Sequence, residues 1–253
     1  MNYAEYVPPR DLAPWVACFW RINGCASGAT SFQHRVLPDG CADLLFDLSA
    51  GGAVKLVGPM STAQVVALSG SVDMLGVRLR PGAVTAFSGV RADELLDVVV
   101  PFSLSVSAEH VAEAGLRLVF DALRAHVAAL DEPDPVTSYA LGRWVRAESH
   151  DFPPVSILTR DVGLSERAFE RRFLANVGLR PVSYRRLARL RTVFRLHAAG
   201  ARGWAPIAAT TGFSDQAHLV RDCRAFTGLT PTEWAATQAA RAGFVQDGAV
   251  TTV

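Results

Sequence analysis

One arrangement occurs twice in this chain. "VGLSERAFERRFLANVGLRP" (162–181) aligns with "TGFSDQAHLVRDCRAFTGLTP" (211–231), placing Gly163 on Gly212, Ser165 on Ser214, Phe169 on Leu219, Gly178 on Gly228 and Pro181 on Pro231. The offset is 49 residues at the start and 50 at the end, so one copy carries a one-residue insertion. Two copies are too few for a solenoid, which needs about three repeats, and indicate instead a duplicated supersecondary unit. Each copy is led by a helix of small apolar residues, "VSILTRDV" (155–162) or "PIAATT" (206–211). Gly163 or Gly212 stops that helix as a residue able to take the left-handed cap conformation. Ser165 or Ser214 is expected to start the next one as N-cap, its hydroxyl accepting an orphan N–H. A short helix, a tight turn and a second helix make a helix-turn-helix signature.

The faces of the second helices follow from about 100° of rotation per residue. In the first, Phe169, Phe173 and Val177 form an apolar stripe, and Arg167 and Arg171 lie about 160° from it, with Glu170 and Leu174 at the edges. In the second, Leu219, Cys223 and Phe226 form the stripe, while Ala217, Arg221 and Arg224 point away, flanked by Val220. Both helices turn arginine outward. One such pattern is an ordinary solvated face; two behind matching Gly-x-Ser turns point to a shared surface. Gly-Leu-x-Pro follows each copy, with Pro181 and Pro231 at the first position of a further helix. Thr230 and Glu233 make a capping box there. The helix from Pro181 to about Ala199 connects the units and carries Arg185, Arg186, Arg189, Arg191 and Arg195, either for phosphates or for solubility.

Charge divides the chain. Residues 1–135 hold 9 basic and 15 acidic side chains, a net of −6; residues 136–253 hold 16 basic and 9 acidic, a net of +7. The second part is therefore the one suited to a polyanion. Lys55 is the single lysine among the basic residues, and arginine suits phosphate and guanine.

The first 100 residues read as strands and turns. "FQHRVLPDGCADLLFDL" (32–48) sets two apolar runs around Pro38-Asp39-Gly40. "AVKLVGPM" and "SVDMLGVRLRPG" are further strands, and "APWVACFWRI" (13–22) suits a helix running into a strand. Residues 108–130 read as one helix, or two broken near Gly115, whose Leu and Val serve either a dimer surface or the packing of their own domain. "DEPDP" (131–135) is the boundary signal. The domains expected are 1–132, 136–238 and a flexible tail, 239–253. The fold class is α+β: a β-rich, barrel or cupin-like first domain with a helical end, then an all-α domain with two helix-turn-helix units.

Residues 136–237 closely resemble the double helix-turn-helix domain of AraC/XylS-type bacterial transcription regulators, through "VGLSERAFERRFLANVGLRPVSYRRLARLR", "IAATTGFSDQAHLVRDCRAFTGLTPTEW" and their spacing. The front half is similar, around "RVLPDGCADLLFDL", "VGP" and "GVRLRPGA", to the β-rich N-terminal domain of one subgroup. Thr159, Val193, His197, Leu219 and Cys223 depart from the usual residues but leave the turns and the outward arginines intact. The resemblance implies a sequence-specific DNA-binding regulator whose two units enter major-groove segments about 34 Å apart. Arg167, Glu170 and Arg171 are the base readers expected in the first unit, and Gln216, Ala217, Val220 and Arg221 in the second. Arginine forks to guanine, Glu accepts from cytosine, Gln suits adenine and a small apolar side chain suits the thymine methyl. Ser165, Arg172, Ser214 and Arg224 are expected at phosphates or in packing. The partners expected are double-stranded DNA, RNA polymerase, a small-molecule effector and a second copy. The alternative function is a dimerising effector-binding module that acts through a protein partner.

For the effector, His34, Arg35, Arg78 and Arg80 are candidates, with Arg78 and Arg80 as two cations on one sheet face; turns and a salt-bridged face explain them equally well. Metal chemistry is not expected: His34 is the only histidine before His110, and Cys18, Cys25, Cys41 and Cys223 show no C-x-x-C spacing. Those cysteines read as buried reduced thiols. With no G-x-S-x-G and no phosphate loop, no enzyme and no cofactor are expected. "MNYAEYVPPRD" lacks a signal-peptide pattern and no run of about 18 apolar residues occurs, so a cytoplasmic place and no membrane contact are expected.

Overall fold

The computed structural model describes residues 1–26, 32–147 and 152–242. Its first part contains β1 (Asn2–Tyr6), β2 (Val16–Ala26), β3 (Phe32–Val36), β4 (Ala42–Asp47), β5 (Lys55–Val57), β6 (Gln64–Leu68), β7 (Gly70–Leu79), helix α1 (Val84–Ser88) and β8 (Val99–Pro101). Helices α2 (Ala108–Ala114) and α3 (Leu116–Val127) close this part. The second part is helical throughout its described residues: α4 (Pro135–Val145), α5 (Val155–Asp161), α6 (Glu166–Val177), α7 (Pro181–Ala198), α8 (Trp204–Thr210), α9 (Gln216–Thr227) and α10 (Pro231–Ala242). Helix α10 runs four residues into the segment expected as a tail, and 243–253 lie outside the described residues.

The strands pair antiparallel in the order β1-β2-β7-β4-β5-β8, with β3 and β6 as a separate ribbon. Among the described residues β1 and β8 are the edges of the six-stranded sheet, and the β-rich first domain and helical second part are as expected. The Pro38-Asp39-Gly40 turn is present, with the Asp39 carboxylate accepting from the Cys41 N–H, but it carries the chain from ribbon to sheet instead of closing a hairpin.

Alternation along each central strand assigns the two faces of the sheet. On β4, Ala42, Leu44 and Phe46 are buried while Asp43, Leu45 and Asp47 are half-buried. The first set joins Phe19 of β2 and Leu75, Val77 and Leu79 of β7 in a core covered by Phe87, Val111, Val119, Phe120 and Leu123 from α1, α2 and α3. The apolar residues of 108–130 are thus spent on their own domain rather than on a dimer surface. The break between α2 and α3 falls at Gly115, with φ 79°.

The opposite face bears Trp20, Asp43, Leu45, Met74 and Arg78, and it looks toward the helical part. Trp20 lies over Gly76, where an added Cβ would sit 1.9 Å from the indole; only glycine leaves that seat open. The indole N–H donates to Asp43 at 2.7 Å, and Arg78 reaches Asp43 at 3.3 Å and Asp39 at 3.6 Å. Burial pushes the Asp43 carboxyl above its ordinary range, and Arg78 only partly offsets it.

Arg80 does not share that face. β7 ends at Leu79, before Pro81-Gly82, and the Arg80 guanidinium turns to the Ala13 carbonyl at 2.5 Å. The cysteines also differ from the uniform reading: Cys41 and Cys223 are buried, Cys18 is half-buried and Cys25, near the end of β2, is exposed. Burial pushes the Cys18 and Cys223 thiols up to about 11, which leaves both as weak nucleophiles.

Candidate nucleic-acid interface

The two helix-turn-helix units are α5–α6 and α8–α9. Gly163 and Gly212 take φ 68° and 73° after the leading helices, and Gly178 and Gly228 close α6 and α9 at φ 78° and 73°. Each uses the left-handed conformation that costs glycine least. Ser165 caps α6, its hydroxyl accepting from the Ala168 N–H at 3.3 Å. The second cap corrects the sequence reading. Asp215, not Ser214, caps α9, accepting from the His218 N–H at 2.6 Å. The inserted residue lies in this turn, so the cap moves one place along and Ser214 bonds Asp215 and His218 instead. Thr230 and Glu233 form the expected capping box at the head of α10.

Burial follows the predicted stripes. Phe169, Phe173 and Val177 of α6 and Leu219, Cys223 and Phe226 of α9 are all buried. Trp144, Phe173 and Tyr184 meet at ring separations of 5.6–5.9 Å around the first unit. Phe194 stacks on Trp234 at 3.8 Å beside the second. Arg167, Glu170 and Arg171 are exposed on α6, and Gln216, Ala217 and Arg221 on α9, with Val220 half-buried beside them. Arg167, Arg171 and Arg221 make no hydrogen bond or ion pair among the described residues; Glu170 lies 3.6 Å from Arg180.

The residues expected at phosphates divide. Ser165, Ser214 and Arg224 are exposed. Arg172 is also exposed, but its Nε donates at 2.6 Å to Asp134, the N-cap of α4. Burial would raise the Asp134 carboxyl; Arg172 and the Thr137 N–H hold it below the ordinary carboxylate range instead.

Three of the five arginines of α7 are engaged within the helical part. Arg185 donates to the Phe152 carbonyl at 2.8 Å, Arg186 to Asp222 at 2.7 Å, and Arg189 to the Gly212 carbonyl at 3.0 Å. Arg189 also lies 3.6 Å from Asp222 and places its guanidinium 4.1 Å from the Phe213 ring centre. Arg186 and Arg189 tie the connecting helix to the second unit, and Arg185 ties it to the segment that leads into α5. Sequence reasoning missed Asp222, whose side chain is 3% exposed. Its signal was available: a carboxylate three residues from Leu219 and four from Phe226 falls on the buried stripe, where a charge needs a partner.

A second unforeseen feature is how the first domain holds both second helices. The last carbonyls of a helix have no partner within it. On α6 the Ala175 carbonyl accepts from the Ala92 N–H at 2.7 Å and the Thr85 hydroxyl at 2.8 Å. On α9 the Phe226 carbonyl accepts from the Ala63 N–H at 2.8 Å, and the Thr227 carbonyl from Arg35 at 2.9 Å. The N-terminal domain therefore grips both at corresponding ends, away from their first turns. No periodicity announces such contacts, because each joins residues far apart in the chain.

Between the sheet and α7, α9 and α10 lies a cavity of about 740 Å³. His34, Arg35 and Arg78 line it; Arg80 does not. No group of three or more His, Cys, Asp or Glu that could hold a metal occurs among the described residues, and no described helix is long and apolar enough to cross a membrane.

Residues 158–237 match the family model described as a helix-turn-helix domain, and residues 4–101 match one described as a domain of unknown function, DUF6597. No curated protein matches the chain. Among solved structures, a transcriptional regulator with an AraC-type DNA-binding domain from Chromobacterium violaceum is similar at 26% identity, covering 42% of this chain and 93% of that one, with a TM-score of 0.39. The DNA-binding domain of AdpA in complex with a target DNA is similar at 24% identity, covering 42% and 91%, with a TM-score of 0.35. An apo ToxT variant from Vibrio cholerae is similar along more of the chain, 92% and 95%, at 12% identity and a TM-score of 0.42.

Proposed function

We propose that this chain, which carries an AraC-type double helix-turn-helix domain at its C-terminus, is a sequence-specific DNA-binding transcription regulator controlled by its N-terminal domain. The observation that carries the reading is the pair of glycine-stopped, side-chain-capped helices whose unpaired arginines face solvent. Arg167, Glu170 and Arg171 read one major-groove segment, and Gln216, Ala217, Val220 and Arg221 the next. Ser165, Ser214 and Arg224 meet phosphates, as does Arg172 on exchanging Asp134 for the DNA. Control comes from the contacts at Ala175, Phe226 and Thr227, and a small-molecule effector acts from the cavity beside His34, Arg35 and Arg78. RNA polymerase and a second copy are the further partners of this reading, the cytoplasm is its place, and no catalysis is required of the chain.

The test is selection of bound sequences from a random duplex pool by the full chain. Enrichment of two motifs about ten base pairs apart is the expected result. Affinity should fall linearly with log salt, at a slope near −0.9 per phosphate neutralised. A flat salt response without enrichment would overturn the reading.

A further inference from the structure

The cavity between the domains has two unlike walls. The sheet contributes aliphatic residues and Trp20, fixed by Gly76 beneath and Asp43 beside it. The helices contribute Phe194, Phe226 and Trp234. Aromatic rings on both sides favour a flat partner, because offset stacks and edge contacts add to the burial of area. The volume falls within the range of small-molecule sites. Trp234 is 7% exposed, and its indole N–H has no acceptor among the described residues. A buried donor without a partner is destabilising, and a ligand acceptor that reached it would recover that loss.

The cavity is also placed unequally with respect to the two reading units. Its wall includes Phe226, Thr227 and Arg35, the second-unit side of the grip. Thr85, Ala92 and Ala175, the first-unit side, are not on it.

We propose that this cavity binds a largely apolar aromatic molecule bearing one hydrogen-bond acceptor, and that its occupant moves the second reading unit while the first stays held. The rings lie between Trp20 and Phe194, and the Trp234 ring shifts so that its shielded N–H meets the acceptor. An occupant pressing on Phe226 and Thr227 changes the bonds from Ala63 and Arg35, and with them the position of α9. This regulation rests on the DNA-binding reading; the binding site does not.

The probe is 1-anilinonaphthalene-8-sulfonate, an aromatic body with a sulfonate acceptor, titrated into the full chain. Saturable one-to-one binding with quenching of tryptophan fluorescence is expected. Leu45→Trp, a substitution at a half-buried wall residue, should weaken it at least tenfold at an unchanged melting temperature. Trp234→Phe keeps a ring and removes the N–H, and should weaken it several-fold. Binding indifferent to both variants would overturn the site, and tighter binding of decanoate, a straight-chain carboxylate, would overturn the aromatic class. Should Leu45→Trp fail to fold, Trp234→Phe alone decides. With the selected duplex, hydroxyl-radical protection should change over the second half-site only; equal change over both would overturn the unequal control. A chain that binds the probe but no DNA would sink the regulator reading and leave the site standing.

Discussion

The two reading units share a frame and differ in what secures it. The first is held by rings: Phe169 and Phe173 stack at 5.8 Å, and Trp144 and Tyr184 close around them. Its ion pair, Arg172 with Asp134, lies near the surface. The second fills the matching places with Leu219 and Cys223 and is fastened by a buried carboxylate, Asp222, shared by Arg186, Arg189 and His218. A helix-turn-helix therefore fixes its turn and caps tightly and its interior chemistry loosely. The outward faces differ in the same spirit: two arginines and a glutamate on α6, against a glutamine, an alanine, a valine and one arginine on α9.

Core truncation should separate the units most. Phe173→Ala should lose about 3–5 kcal/mol in urea unfolding, as large aromatic deletions do. Cys223→Ala, which removes one sulfur, should lose about 1 kcal/mol. Equal losses would break the contrast between a ring-held and an ion-held unit.

The reverse asymmetry belongs to the charges. Asp222→Ala leaves Arg189 buried without its carboxylate and should cost about 3 kcal/mol. Asp134→Asn keeps a capping side chain but removes the charge that faces Arg172, and should cost at most about 1 kcal/mol at neutral pH, the scale of an ion pair near the surface. Its pH dependence has a definite sign. The folded Asp134 titrates below its ordinary value, so its contribution is present above about pH 4 and is lost as pH falls through the folded value. Acid unfolding of Asp134→Asn should lack that component, which a pair of melting curves against pH would reveal.

On DNA, Arg221→Ala should cost about 1–3 kcal/mol and relax one base preference in the second half-site alone. Arg171→Ala should do the same in the first. Uniform weakening across all sequences would make either residue a phosphate contact instead. The smallest difference concerns the caps. Ser165→Ala should cost about 1 kcal/mol, whereas Ser214→Ala should be nearly neutral, because Asp215 holds the cap. A Ser214→Ala loss as large as that of Ser165→Ala would return the cap to the serine.

What the sequence disclosed followed local rules. Both turns, the glycine stops, the Thr230–Glu233 box and the buried stripes of α6 and α9 are each written within a few residues. What it concealed depends on distant partners. β1, β6 and β8 are short strands defined by their neighbours; Gln64 to Ala67 carry little burial to mark β6. Arg78 and Arg80 alternate in sequence, yet the strand ends between them. The arginines of α7 read as phosphate contacts or a solvated row because the acceptors of Arg185, Arg186 and Arg189, at Phe152, Asp222 and Gly212, arrive from three other segments. The one-residue insertion was visible, but its placement in the turn, with the cap passing to Asp215, took the backbone to reveal.

The bonds to Ala175 and to Phe226 and Thr227 have a mechanical corollary. A body bolted at two points cannot rotate; with one bolt withdrawn, the other becomes a pivot. Loosening the Ala63 and Arg35 attachments would let α9 swing through an arc centred near Ala175, so a displacement too small to notice beside the sheet would be multiplied at the far end of the lever, on the exposed face of Gln216, Ala217 and Arg221.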